Sequence, residues 1–580
     1  MEVEPRRWHF ILQFQEILNV LPESSRKNLW IQIMSSCTIS ALDLFSVGII
    51  VPLITSITKP PFGQISLLPF LAYDVPLNFF LITIGFLFIL KNSLTWWFFH
   101  RQSLFVHDTF VKMSESIYRD FFKQSFEDYC LQNSAENIRR IKHAPSDFTN
   151  HVLLPLLQLV TDLIVVTCVV LFLFWYDYKI MIALACAMLP FLIMYYVFKG
   201  TIVSKINKIF REQTPIGNVL IAKGIDAFAE AKLYKKENFF VQRFMSVNAL
   251  TSRHLANLRT SSMLPSKIYE VLAIACLCVI LFYSQHLNSS KTLLLTGIVL
   301  LAFYKLGPAL NRLLISLTEI EAYAYTIGLI QKPFSRVNSQ AHSLNEKILC
   351  FKEAIVVEDI SFRYAAASTN TLDGVNLVIN RSDFFVLDGP SGIGKSTLLN
   401  SLNGFLPVQN GGIIVDGIRI SSANISNWQS LIGYVPQNGV IMDDTILANI
   451  AFGEHVHTAN INKVKEVIEL AGLSAFTSQL KDGIYHPIGE NGLTISGGQR
   501  QRLLLARALY RDPQVLIIDE VTNHLDYDSK IKILETLRDM SKRGLTIIAA
   551  THDPIVKNYA NRTFSLSETE RKSALSAKPF

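Results

Sequence analysis

Gly389-Pro390-Ser391-Gly392-Ile393-Gly394-Lys395-Ser396 places glycines, a lysine and a hydroxyl in the spacing G-x-x-x-x-G-K-[ST]. Such a stretch turns its backbone N–H groups inward onto an anion, and the following helix points its positive end at the same place. Lys395 is expected to reach the terminal phosphates of ATP, and Ser396 to hold Mg²⁺. Thr397 opens the helical run behind them and completes the expected phosphate-binding set. The strand-like run Phe384-Phe385-Val386-Leu387 comes just before, which is the context a phosphate-binding loop needs. Asp519 and Glu520 close a second apolar run, Val515-Leu516-Ile517-Ile518. Carboxylates at the C-terminal end of a buried parallel strand stand at the mouth of the sheet, where ligands of such sheets bind. Asp519 is the expected Mg²⁺ partner, and Glu520 the expected base that polarises water for attack on the γ-phosphate.

These residues need an α/β domain to hold them. From about residue 351 short β-rich runs alternate with helical ones, and Thr546-Ile547-Ile548-Ala549-Ala550 is a third buried-strand pattern. The polar stretch 331–350, with Pro333, Ser335, Asn338, Ser339 and Ser343, reads as a linker.

The chain before that linker has a different solvent. Half of all residues are hydrophobic and only 17% are charged, against about 25% charged in soluble domains. Apolar runs fall at 29–57, 77–99, 152–175, 180–198, 268–283 and 293–315, most of them near or above the roughly 20 residues that cross a bilayer as helix. The long connections after the second and fourth runs are rich in Lys and Arg, among them Arg119, Arg139, Arg140, Lys205, Lys235 and Lys236. Basic loops stay on the cytoplasmic side, so both termini are expected there, with two long helical loops below the membrane. The net charge of +7 is dispersed, with no long polybasic run, which gives no support to nucleic-acid binding. The seven cysteines are odd in number and form no C-x-x-C, so they read as small buried hydrophobes rather than disulfides or a zinc site. The N-terminus, Met1-Glu2-Val3-Glu4-Pro5-Arg6-Arg7, does not read as a signal peptide.

Residues 353–566 carry an ordered set of further motifs: Tyr364, Gln437 in Tyr434-Val435-Pro436-Gln437, Ser496-Gly497-Gly498-Gln499, Asp526 and His552. In that order they resemble a complete ATP-binding cassette (ABC) nucleotide-binding domain. The resemblance implies that Tyr364 stacks on adenine and that Gln437 senses Mg²⁺. It makes Ser496, Gly497, Gly498 and Gln499 the signature that closes over the nucleotide of a second cassette. Asp526 matches the D-loop aspartate, and His552 the switch histidine at the γ-phosphate. With six spans ahead of one cassette, nearly the whole chain is similar to an exporter-type half-transporter. The implied fold is an α-helical transmembrane bundle over residues 1–330, the linker, an α/β P-loop NTPase domain over 351–566, and a tail over 567–580.

The implied activity is ATP hydrolysis coupled to transport across a bacterial cytoplasmic membrane. A lone cassette implies a partner: a second copy of the chain, or a related chain in a heterodimer. Two segments at the loop tips, 133–140 and 224–231, are the expected docking helices. Some positions depart from the common exporter pattern. Ile495 replaces leucine, Asn523-His524-Leu525-Asp526 replaces Ser-Ala-Leu-Asp, and Thr551 and Asp553 flank His552 where Ala and Arg are usual. Glu490-Asn491-Gly492 resembles the exporter segment that touches the partner's loops.

The cargo is marked only by charges in the apolar half. Asp43 lies in the first run, and Lys305 and Arg312 share a helix face in the sixth. One reading is a structural Asp43–Lys305 pair with Arg312 snorkelling. The other is a basic wall for an anionic head group, and it is favoured by a local likeness of the first and sixth runs to bacterial lipid-linked oligosaccharide flippases. Export of peptides or drugs, siderophore import, and a soluble or regulatory ABC ATPase are the alternatives, the last opposed by the spans.

Overall fold

The computed structural model describes residues 10–58, 64–68, 71–176, 216–284, 289–332, 351–364, 367–489, 494–520 and 526–566, with positions 182, 193 and 213. The chain divides into two compact units. One comprises Met1–Lys123 and Gln132–Phe334, the other Gln124–Leu131 and Ser335–Phe580.

The first unit is helical. Its N-terminal half holds α1 (Phe10–Val20), α2 (Glu23–Thr58), a hairpin of β1 (Gln64–Leu68) and β2 (Leu71–Pro76), and α3 (Leu77–Phe121). The short helix α4 (Phe126–Leu131) belongs to the second unit. After it come α5 (Ser134–Ile138), α6 (Ala144–Phe148) and α7 (Leu154–Tyr176), joined through the π-helical turns Arg139–His143 and Thr149–Leu153. Later elements are α8 (Phe228–Leu233), α9 (Glu237–Ser284), α10 (Ser289–Tyr323) and α11 (Tyr325–Gln331). The 45 residues of α3 extend roughly 68 Å at 1.5 Å per residue, more than twice a hydrocarbon core of about 30 Å.

Among the described residues, Ile82–Phe121 and Ser134–Trp175 are long and apolar enough to cross a membrane, and a third candidate is bent by 43° at Ala324. The run at 180–198 lies outside the described residues apart from positions 182 and 193.

Small and hydroxyl residues let the helices of this unit approach closely, as apolar surroundings favour. Buried Ser36 and Ser40 of α2 donate to Leu157 O and Thr161 O of α7, at 3.4 and 2.9 Å. Gln102 of α3 adds a 2.9 Å bond to Ser36. A Cβ on Gly307 would stand 2.0 Å from the Tyr269 ring, so this glycine is what allows α10 to lie against α9 there. Of the seven cysteines, four can be placed: Cys37, Cys130 and Cys278 are exposed on the single chain and Cys168 is half-buried. The expectation of buried cysteines is therefore corrected for those three. They lie on helix faces that the single chain leaves uncovered.

The second unit contains two sheets. Five parallel strands run in the order β11 (Arg562–Ser565), β5 (Phe384–Asp388), β10 (Thr546–Ala550), β9 (Val515–Asp519), β8 (Ile432–Val435). The antiparallel sheet has the order β4 (Leu372–Asn380), β3 (Ala354–Phe362), β6 (Asn410–Val415), β7 (Ile418–Arg419). Strands β9 and β10 are buried at every position, which is why their sequences read as unbroken apolar runs rather than alternating ones. Register places Asp519 beside Ala550, and Ala550 beside Leu387, so the ends of β5, β9 and β10 form one edge.

The helices described in this unit after α4 are α12 (Lys395–Leu402), α13 (Ile425–Ser430), α14 (Ile446–Ile450), α15 (Ile461–Leu470), α16 (Ser474–Gln479), α17 (Gly497–Tyr510), α18 (Tyr527–Lys542) and α19 (Pro554–Tyr559). Phe126 of α4 stacks on Phe405 with ring centres 5.1 Å apart, and Phe405 meets Tyr434 edge-on at 5.9 Å.

That contact corrects the first docking expectation. Segment 133–140 belongs to the other unit, where Arg139 and Arg140 are buried and Arg140 donates to Lys332 O. Asn133 caps α5 by accepting from Ala135 N at 3.0 Å. It therefore starts a helix, and the loop segment that joins the cassette lies just before it. The second expected tip, 224–231, leaves Ile225 and Phe228 exposed at 69% and 65%.

Candidate nucleotide site and intramembrane charge cluster

The loop between β5 and α12 is shaped by glycines that nothing else could replace. Gly389 and Gly394 take φ of +146° and +116°. A Cβ at either would stand 2.9 Å from Leu566 O or 3.0 Å from Thr371 O. Lys395 begins α12 with its side chain buried, and its ammonium is gathered by Gly389 O and, at 3.3 Å, by Pro390 O. The Tyr364 hydroxyl lies 3.3 Å from Thr397 Oγ1, and its ring meets Phe362 edge-on. The aromatic expected at adenine therefore stands beside the first turn of α12.

The Ser396 side chain hydrogen-bonds the Asp519 carboxyl. Burial, with Glu520 beside it, pushes Asp519 above the usual carboxylate range, while Ser396 and Lys395 pull the other way. A buried carboxylate and a hydroxyl in mutual contact make a hard oxygen donor set, and they fit Mg²⁺.

Glu520 occupies the left-handed region, φ +55°, which costs a non-glycine residue about 1–2 kcal/mol. Its N–H is held by Ala550 O at 3.1 Å. Its carboxylate accepts from Gln437 Nε2 at 2.6 Å and lies 3.5 Å from His552 Nδ1. Strain of this kind is retained where surrounding structure fixes it, and here it aims the carboxylate between the Gln437 and His552 side chains. Lys395, Ser396, Asp519, Glu520, Gln437 and His552 thus form one continuous set.

The signature opens a different helix. Ser496 caps α17 by accepting from Gln499 N at 3.2 Å, and Gln499 Oε1 accepts from Ser496 N at 2.9 Å. This reciprocal capping box leaves Gly497 and Gly498 in the first turn of a 14-residue helix, whose positive end suits an anion. Asp526 caps α18 through Ser529 N at 3.0 Å and lies 3.7 Å from Arg502 of α17. Asn523, His524 and Leu525, like 490–492, lie outside the described residues.

Arg507 on α17 was not visible as special in the sequence. It donates to Asn449 O, Val440 O and Asn449 Oδ1 at 2.7, 2.8 and 3.0 Å, with Phe452 4.6 Å beneath it. Burial pulls its pKa down to about 10, still charged near neutrality. Arg507→Met strands those acceptors, and a loss of about 2 kcal/mol in cassette stability is expected, read as a lowered Tm.

The ABC transporter family profile matches residues 372–523, which include the phosphate loop, the signature, Asp519 and Glu520. The ATP-dependent lipid A-core flippase of Ralstonia nicotianae is 28% identical over 424 residues, 69% of this chain and 68% of that protein. The protein of the same description from Paraburkholderia xenovorans is also 28% identical, over 71% of this chain and 69% of its own length. A solved bacterial Atm1-family ABC exporter with ATP bound shares the fold with a TM-score of 0.73 at 19% identity, covering 94% of this chain and 93% of its own. Residues 372–523 belong to the ABC transporter domain family, and the chain is built as an exporter-type half-transporter. It is a membrane protein that binds ATP and couples its hydrolysis to transport.

The membrane unit of this half-transporter carries a charge cluster larger than the sequence suggested. Asp43 on α2 pairs with Lys91 on α3 at 2.5 Å and with Lys305 on α10 at 3.5 Å. Arg312, two turns along α10, takes Asp162 of α7 in a fork, with contacts of 2.6, 3.1 and 3.2 Å. The Asp43–Lys305 pair is thus present, and Arg312 is held by a carboxylate rather than snorkelling. Among the described residues three cations meet two carboxylates on four helices, a positive excess of one. Lys91 and Asp162 are the members sequence reasoning missed. Asp162 had the same signal as Asp43, a lone acid within an apolar run.

Proposed function

We propose that two copies of this chain form a transporter that flips an amphiphilic lipid with an anionic head group, such as a lipid-linked oligosaccharide, across the bacterial cytoplasmic membrane, with both termini in the cytoplasm. The positive excess of the intramembrane cluster carries the cargo assignment, because charge in the hydrocarbon is costly and marks a substrate path. The relatives reported above are lipid A-core flippases, which supports an amphiphilic lipid as the cargo.

In the engine, Lys395 leaves the carbonyls of Gly389 and Pro390 for the β- and γ-phosphates, and Tyr364 stacks on adenine. Ser396, Asp519 and Gln437 would hold Mg²⁺, which would supply charge neutralisation at the phosphates. Glu520 takes the proton from the attacking water, and His552 donates to the γ-phosphate. Ser496, Gly497 and Gly498 of one chain close on the nucleotide held by Lys395 of the other, with Gln499 fixing the helix start and Asp526 at the boundary between sites. Exposed Ile225 and Phe228 suit the second loop to docking on the other copy's cassette. Closure of the cassettes then turns the membrane halves outward, and hydrolysis resets them, as rigid-body alternating access.

The test is ATPase activity of the reconstituted protein with three probes: a pyrophosphate-linked oligosaccharide lipid, a hydrophobic cation and an apolar peptide. Stimulation by the anionic glycolipid alone is the expected result. Stimulation by the cation or peptide alone would replace this cargo with a drug or a peptide.

A further inference from the structure

His552 contacts Glu520 at 3.5 Å, yet its side chain is 57% exposed. Packing alone does not hold such a side chain, so its aim depends on the backbone to either side. On one side Thr551 is buried, with its N–H on Leu387 O at 3.2 Å. Its hydroxyl accepts from Asp553 N at 3.0 Å, so the two flanking residues close a small loop around the histidine. On the other side Asp553 divides its carboxylate between two partners. Oδ1 caps α19 by accepting from Ile555 N at 2.9 Å, and Oδ2 meets Lys530 Nζ at 2.5 Å.

Lys530 stands in the first turn of α18, and its N–H bonds the carbonyl of the cap residue Asp526 at 2.9 Å. The ion pair therefore joins the start of α18 to the residue after His552. The two side chains are only 15% and 12% exposed, so solvent screens the pair poorly and removing one charge strands the other.

We infer that Lys530 and Asp553 are positioning residues, a clamp that keeps His552 at Glu520 and makes its aim depend on where α18 begins. The inference rests on the catalytic roles proposed above for Glu520 and His552. The aspartate at 553, a departure from the common exporter pattern, acquires a reason: it requires a lysine at 530, and this chain has one. Movement at Asp526, the proposed boundary between the two ATP sites, is passed through one helical turn to the switch histidine.

The clamp is tested on the purified full-length protein by a double-mutant cycle of Lys530→Met and Asp553→Asn, the asparagine retaining the helix cap. Each single variant is expected to lower kcat about tenfold while binding of a fluorescent ATP analogue stays within about twofold. The double variant should be less impaired than the product of the singles, and Lys530→Arg should restore most of the turnover. Unchanged kcat in both singles overturns the inference. So does a double variant equal to the product of the singles, or a parallel loss of ATP affinity and Tm, which marks a merely structural pair. Glu520→Gln is run beside them. If that variant keeps its turnover, the catalytic assignment is what fails; if it is inactive and the cycle shows no coupling, the clamp alone fails.

Discussion

Glu520→Gln abolishes steady-state ATP hydrolysis while leaving ATP binding intact, and the protein accumulates as an ATP-bound dimer. The amide keeps the size of the carboxylate and can still take the Gln437 contact now made at 2.6 Å. The left-handed backbone at 520, φ +55°, is equally strained for either side chain, so the variant folds as the parent does. Only the capacity to accept a proton is lost. A positioned general base contributes roughly 10²–10⁴-fold, so kcat should fall by about that factor with little change in nucleotide affinity. Gel filtration with ATP and Mg²⁺ should then show the dimer, because closure remains available and the step that reopens it does not. Turnover within twofold of the parent would remove Glu520 from the base role and shift attention to His552.

Much of this site is legible because its chemistry is local. Gly389 to Ser396 specify a loop whose backbone geometry follows from residue type, and β9 announces itself as an unbroken apolar run ending in Asp519. What the sequence hides is whatever depends on a distant partner. Nothing in the letters around Glu520 says that its backbone is left-handed, since that conformation is fixed by Ala550 on a neighbouring strand. Arg507 is one more arginine in a basic helix until Asn449 and Val440 surround it. Asn133 illustrates a signal read for the wrong purpose. Asparagine followed three residues later by Glu136 is a helix start, and the loop segment grouped with the cassette is α4, upstream of it. Asp162 was overlooked beside Asp43 because a single carboxylate in a long apolar stretch lowers the mean very little. Its meaning comes from Arg312, 150 residues away.

That pairing separates two substitutions that the sequence treats as equivalent. Lys305 and Arg312 lie on one face of α10, and replacing both by alanine is the obvious test of a basic cavity. The geometry predicts very different outcomes for each. Asp43 lies between Lys91 at 2.5 Å and Lys305 at 3.5 Å, so Lys305→Met leaves that carboxylate with its nearer cation. The variant should fold, and its ratio of glycolipid-stimulated to unstimulated turnover should fall about tenfold if the lysine meets the head group. Asp162 has a side-chain exposure of 2% and takes Arg312 as a fork. Arg312→Ala leaves that carboxylate buried without its cation, and breaking such a pair costs about 3–5 kcal/mol. Loss of extractable, monodisperse protein is therefore expected, which would pass for loss of transport in an activity assay. Pairing Arg312→Met with Asp162→Leu removes both charges and should recover the yield, because an apolar replacement of a buried pair is tolerated. Recovered yield with glycolipid stimulation still absent places Arg312 at the cargo. Recovered yield with full stimulation makes the Arg312–Asp162 pair a fastening between α7 and α10 and leaves Lys305 and Lys91 to meet the head group.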